Sequence, residues 1–150
     1  MFHPYLIFST ENHTVEQSNE YLIPGYLILR PIFPAHSIAT MTKAALTELG
    51  PLMALTYACV ENIIHPEIIY CARFGEKMRA IHFHIFPRST GIGHAYRKAH
   101  GLSENADISG PRLLDWIMNH KIQWEITQNI DSSMQQLKDQ FQKLKNSYNG

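Results

Sequence analysis

Apolar and polar side chains alternate most regularly over residues 80–88, Ala-Ile-His-Phe-His-Ile-Phe-Pro-Arg. Ile81, Phe83 and Ile85 fall on one face; His82, His84 and Phe86 fall on the other. A period of two predicts a β-strand, with Pro87 closing it. Two histidines spaced by two residues share a face, roughly 7 Å apart along the backbone. The apolar face can be buried while the other presents two imidazoles.

The same reading along the chain predicts a short apolar strand between Pro4 and Thr10, a turn at Glu11-Asn12-His13, and a second strand from Thr14 to Ser18. Leu22-Ile23-Pro24-Gly25 is a further turn, and Tyr26 to Arg30 is a third strand stopped by Pro31. Thr42 caps a helix whose stripe is Leu46, Leu49, Met53, Tyr57, Val60 and Ile64, in steps of three or four. Gly50-Pro51 interrupts it and predicts a kink rather than a stop, because the stripe continues to His65-Pro66.

Glu67 to Phe74 is a fourth strand, turned by Gly75–Met78 into the histidine strand as an antiparallel hairpin. The order is that of an α+β domain. Ser89 to Ile108 lacks periodicity and reads as a loop. Pro111 opens a short helix ending at His120. Ser132 and Gln135 have capping-box spacing for a last helix whose stripe is Met134, Leu137, Phe141, Leu144 and Tyr148. That helix is expected to dock on the body or on a second subunit.

Composition narrows the function classes. At 150 residues and 45% hydrophobic, the chain reads as one domain with a substantial core. A formal net charge of zero argues against a nucleic-acid binder or a polybasic membrane protein. The two cysteines make no disulfide framework, the N-terminus lacks the marks of a signal peptide, and no apolar run is of membrane-spanning length. The expected location is cytoplasmic. Charge is nonetheless uneven: Arg73, Lys77, Arg79, Arg88, Arg97 and Lys98 face only Glu76, a local excess of five positive charges. Beside the paired histidines this favours an anionic ligand.

Residues 25–31, Gly-Tyr-Leu-Ile-Leu-Arg-Pro, the helix after them, and above all residues 82–88, His-Phe-His-Ile-Phe-Pro-Arg, resemble the histidine-triad (HIT) superfamily, whose members carry H-φ-H-φ-H-φ-φ, often followed by Pro-Arg. The resemblance spans roughly residues 4 to 90. It implies an antiparallel sheet of about five strands with one long helix between strands, and a dimer; the C-terminal helices are expected from the periodicity above, because the last sixty residues match nothing in the family. Residues 1–90 would be the nucleotide-binding core and residues 91–150 a C-terminal extension of the same domain.

Aligning on Pro87-Arg88 puts the family's nucleophilic histidine on His82 and its third histidine on His84. The first falls on Ala80, which keeps the carbonyl that helps orient the nucleophile but lacks an imidazole. The resemblance also implies substrate contacts from Arg88, from Glu76 six residues before the nucleophile, and from Asn19 near the ribose; Tyr26 stands where relatives often have histidine and is given no role.

The implied chemistry is nucleotide hydrolysis or nucleotidyl transfer through a nucleotidyl-histidine, on dinucleoside polyphosphates or related nucleoside phosphoryl substrates. The surrounding Arg and Lys would keep His82 unprotonated by repulsion. No metal and no cofactor is called for; an H-x-H pair also serves as a metal half-site, but no third ligand stands at a convincing spacing. The alternative is a nucleotide-binding module with little or no turnover, which the Ala80 replacement favours. Partners would be the nucleotide or dinucleotide and a second copy of the chain, with no nucleic acid and no membrane.

Overall fold

A computed structural model describes residues 3–120 and 130–148. Among them five strands form one antiparallel sheet: β1 (Leu6–Ser9), β2 (His13–Gln17), β3 (Leu27–Pro31), β4 (Ile68–Ala72) and β5 (Phe83–Arg88), in the order β1-β2-β3-β5-β4. The β1–β2 turn is held by Thr10, whose hydroxyl accepts from the backbone N–H of Asn12 and His13 at 3.1 and 2.9 Å. Between β2 and β3, buried Gln17 donates to the Ile23 carbonyl at 2.8 Å and accepts from Gly25 N–H at 3.2 Å. Gly25 has φ +76°, and a Cβ there would lie 2.5 Å from Ile64, so glycine alone fits this turn. The turn matters because Tyr26 comes directly after it.

Helix α1 (Lys43–Ile64) begins where Thr42 accepts from Ala45 N–H at 3.1 Å and ends at His65 in the left-handed region, before Pro66. It runs through Pro51 as one helix. Its buried line differs from the expected stripe: Ala45, Leu52, Leu55, Thr56, Cys59 and Val60 are buried, while Leu46 is 39% exposed. The buried line joins Leu52 and Leu55 to the smaller Ala45, Thr56, Cys59 and Val60, and Leu49, Met53, Tyr57 and Ile64 of the expected stripe are partly buried against the same core.

The histidine strand also departs from expectation. It runs from Phe83 to Arg88 rather than from Ala80 to Phe86, and Pro87 lies inside it, opposite Ile69. Pairing with β3 covers only Phe83 to Ile85. Beyond it β5 has a free flank, where a residue without an N–H costs no ladder bond. The turn expected at Gly75–Met78 belongs to a longer connection, tied down where Ile81 N–H donates to the Ala35 carbonyl at 2.7 Å.

The expected loop after β5 contains helix α2 (Thr90–Ala99), capped by Ser89, which accepts from Ile92 N–H at 3.3 Å. Two glycines obscure it in the sequence, yet Gly93 and Tyr96 are buried beside Ile92. Helix α3 (Gly110–His120) lies where Pro111 predicts it. Helix α4 (Ile130–Leu144) already includes Ile130 and Asp131, so Ser132 is within the helix and is not its cap.

The two sheet faces are covered differently. On one, α1 and α4 bury Val15, Leu27, Leu29, Ile85, Cys59, Met134, Leu137 and Phe141 in a single cluster, so α4 docks on the body. On the other, α2 and α3 cover only part of the sheet, around Tyr26, Phe86, Tyr96, Leu113 and Ile117. The histidines stand on this second face. No described helix is long and apolar enough to cross a membrane.

Candidate active site

His84 enters the site from β5, with Ile28 of β3 and Ala72 of β4 directly across from it. His82 precedes the strand and is 9% exposed. The two imidazoles stand 4.9 Å apart, tilted to each other by 65°.

Each ring is fixed through its Nδ1 by a different partner. His82 Nδ1 lies 2.8 Å from the Ala80 carbonyl oxygen. A carbonyl only accepts, so Nδ1 carries the proton and, in the neutral ring, Nε2 holds the free lone pair. His84 Nδ1 lies 2.8 Å from the hydroxyl of Tyr26. A phenol is a stronger acid than a neutral imidazole N–H, so Tyr26 donates and the His84 proton rests on Nε2. The pair thus offers one bare nitrogen and one N–H, the complement a phosphoryl group needs from a nucleophile and a donor.

Charge reinforces this assignment. Burial, aided by His82 and opposed by Glu20, pulls His84 down from 6.5 to about 4, so it is a neutral donor at pH 7. Burial, then the neighbouring Tyr21 and Glu20, pushes the Tyr26 phenol well above its ordinary value and keeps it protonated. For His84 the cause is burial first and its histidine neighbour second, rather than the arginines and lysines the sequence puts nearby.

The basic run is in fact dispersed. Arg73 donates to the His36 and Arg79 carbonyls, and Arg97 to that of Ala106. Arg88 lies 3.2 Å from Glu67, donates to the Tyr70 hydroxyl at 2.7 Å, and sits over the Tyr70 ring. It stands four residues from His84, about 13 Å along the strand. Glu76 is exposed; its carboxylate accepts from Gly75 N–H at 3.0 Å, which lowers its pKa. Asn19 is exposed in the bend after β2, next to Glu20. The structure therefore brings His82 and His84 together and leaves Arg88 apart, engaged with Glu67 and Tyr70.

Three neighbours of the site carry no role in the sequence reading. Tyr26 bonds His84, Phe74 sets its ring edge-on to His84 at 5.5 Å while 37% exposed, and Glu20 acts on both His84 and Tyr26. Of these, Tyr26 has a visible signal: a polar aromatic opening a strong strand just after a Pro-Gly turn. Among the described residues no three His, Cys, Asp or Glu side chains converge as a metal-binding set.

No family model matches this sequence, and no curated protein matches it. Solved structures do match in shape. A hypothetical histidine triad nucleotide-binding protein from Sulfolobus tokodaii gives a TM-score of 0.63 at 11% identity, over 96% of this chain and 87% of that one. A zinc-bound histidine triad family protein from Mycobacterium smegmatis gives 0.58 at 14%, over 97% and 89%. A histidine triad protein from Bradyrhizobium japonicum gives 0.56 at 17%, over 95% and 96%. At these identities the likeness is one of fold, and the fold is that of the histidine-triad proteins.

Proposed function

We propose that this chain, built on the histidine-triad fold, is a nucleotide hydrolase or nucleotidyl transferase acting through a nucleotidyl-histidine on His82. The observation that carries the reading is the hydrogen bond from His82 Nδ1–H to the Ala80 carbonyl at 2.8 Å, which leaves Nε2 as the attacking lone pair. Nε2 forms a bond to the α-phosphorus of a nucleoside phosphoryl substrate, and the bond from phosphorus to the departing group breaks. The departing group takes its proton from water. In the second step water attacks phosphorus and gives up one proton to solvent, replacing the one taken in the first step. The P–N bond breaks, and the imidazole regains its Nε2 lone pair while its Nδ1–H stays hydrogen-bonded to the Ala80 carbonyl. His84 Nε2–H donates to a phosphoryl oxygen, where negative charge grows in both steps.

Nucleotide binding, a symmetric dimer with an isologous interface and a cytoplasmic setting complete this reading, with residues 91–150 as an extension of the domain formed by residues 1–90. Ala80 favours one alternative, a binding module with little turnover, since it brings a carbonyl to His82 but no imidazole. Steady-state kinetics on a panel of dinucleoside polyphosphates, nucleoside phosphoramidates and nucleotidyl sugars tests both. His82→Asn should abolish turnover with nucleotide affinity within a few-fold, whereas His84→Asn should weaken both. Equal, modest losses from the two would reject the division of roles. Tight binding with no turnover by the wild type would leave the binding module.

A further inference from the structure

The large exposed apolar side chains are concentrated rather than scattered. Of nine among the described residues, six lie in two connections. Ile32, Phe33, Ile38 and Leu46 belong to the passage from β3 into α1, and Phe74 and Met78 to the one from β4 to β5. Phe33, at 68%, is the most open of the nine. One such residue needs no explanation, but a concentration of them marks an interaction surface. The two connections are tied together: Ile81 N–H donates to the Ala35 carbonyl at 2.7 Å, and Arg73 Nη2 donates to the His36 and Arg79 carbonyls at 3.3 Å each. Beneath them Ala35, Met41, Ala45 and Ile81 form a small core of their own. That core takes in Ala35 and Met41 yet leaves Phe33 and Ile38 outside.

Charge around these side chains is nearly all of one sign. Arg73, Lys77, Arg79 and, at the start of α1, Lys43 are exposed, and Glu76 is the one acid in residues 31–47 and 73–81. Four bases against one acid leave an excess of three positive charges, hidden in a chain whose net charge is zero. Glu76 is turned back on its own loop, where it accepts from Gly75 N–H. Lys43, Lys77 and Arg79 form no ion pair among the described residues. Apolar tips beside unpaired cations fit an anionic lipid surface: the tips leave water for the acyl boundary while the cations stay among the headgroups. A bilayer needs no matching pocket to receive them. A second copy of the chain fits less well, because an isologous contact would set these cations against their own copies.

We propose that the two connections form a docking surface for an anionic membrane, entered by Phe33, Ile38 and Met78 and held by Lys43, Lys77 and Arg79. The attachment is peripheral, since no described helix is long and apolar enough to cross a bilayer. It corrects the inference drawn from net charge, which averages this surface with the acids elsewhere in the chain. It does not depend on the chemistry of the histidines.

Co-sedimentation with vesicles tests this, using phosphatidylcholine alone and phosphatidylcholine mixed with phosphatidylserine. Wild type should bind the mixed vesicles about tenfold or more tightly than the neutral ones, and added salt should weaken that binding. The double variant Phe33→Ser, Ile38→Ser and the double variant Lys77→Glu, Arg79→Glu should each weaken it by about tenfold or more. All four side chains are exposed, so the fold is retained, which unchanged urea midpoints would verify. Met78→Ser, on the other connection from Phe33, should also weaken binding and keeps the test open if a double variant does not fold.

No binding to the mixed vesicles, equal binding to both kinds, or binding that survives loss of Phe33 and Ile38 overturns the proposal. Two companion measurements identify the other occupants. Self-association of the wild type in light scattering that Phe33→Ser with Ile38→Ser abolishes, without vesicle binding, would put a second copy on this surface. Binding to soluble polyglutamate but not to vesicles would assign it to an acidic protein. Either result overturns the membrane.

Discussion

Replacing Tyr26 by Phe removes one oxygen atom from the wall of the site and leaves the aromatic packing in place. In the wild type that oxygen lies 2.8 Å from His84 Nδ1, and the tyrosine is fully buried. The ring itself is anchored independently, edge-on to Phe86 at 5.1 Å and stacked with Tyr21 at 5.9 Å. The variant therefore loses a hydrogen bond with little loss of packing. A typical buried hydrogen bond contributes about 1 kcal/mol net, and a partner stranded without water costs ~1–3 kcal/mol. His84 is only half-buried, so water can reach its freed nitrogen, and a stability loss of about 1–2 kcal/mol is expected in urea unfolding.

The functional effect is more specific. Without the phenol donor, His84 is free to move its proton to Nδ1, and its Nε2 then meets the phosphoryl oxygen as an acceptor. A loss of roughly tenfold in kcat/KM corresponds to about 1.4 kcal/mol of transition-state stabilisation. Long-range proton–nitrogen spectra of the imidazoles separate the two tautomers directly: wild type should show His84 protonated on Nε2, and Tyr26→Phe a mixture. An unchanged His84 tautomer in the variant, with unchanged stability and rate, would refute the reasoning that Tyr26 sets the donor.

Two further outcomes follow from the same geometry. The folded-state pKa of His84 is depressed to about 4 from 6.5, so the unfolded chain binds its proton more readily. Its contribution to stability is complete above pH 6.5 and is lost as pH falls toward 4. Screening of this half-buried ring reduces the full linkage value to ~1–2 kcal/mol; urea unfolding across that range should show the slope, and His84→Gln should flatten it. Arg88→Met should leave nucleotide affinity within about twofold by calorimetry, because its guanidinium is held by Glu67 and Tyr70 about 13 Å along the strand from His84; a tenfold loss would bring Arg88 back into the site.

What the sequence made legible was whatever short-range periodicity encodes. The two histidines on one face, the hairpin of β1 and β2, the caps and extent of α1 and the stripe of α4 all follow from spacing within a few residues. What it hid depends on pairings between distant elements. Tyr26 and His84 are 58 residues apart, and only the turn held by Gln17 and Gly25 brings the phenol to the imidazole. Arg88 reads as a free cation beside the histidines until β4 and the residue before it bring Tyr70 and Glu67 to its side chain. Pro87 reads as a strand end until the short reach of β3 gives it an unpaired flank. Helix α2 was hidden for another reason. Gly91 and Gly93 lower its intrinsic propensity, and its burial against the second face outweighs that cost.

The central claim is that His82 Nε2 becomes covalently bonded to phosphorus during the reaction. Rapid acid-free denaturation of the wild-type protein during turnover, followed by proteolysis and mass measurement, tests it most directly. The peptide containing His82 should carry one nucleotidyl group, labile to acid and absent from His82→Asn, while His84→Asn retains the modification at reduced yield. Turnover at full rate with no modified His82 peptide at any quench time, or a nucleotidyl group found on His84 instead, would contradict it.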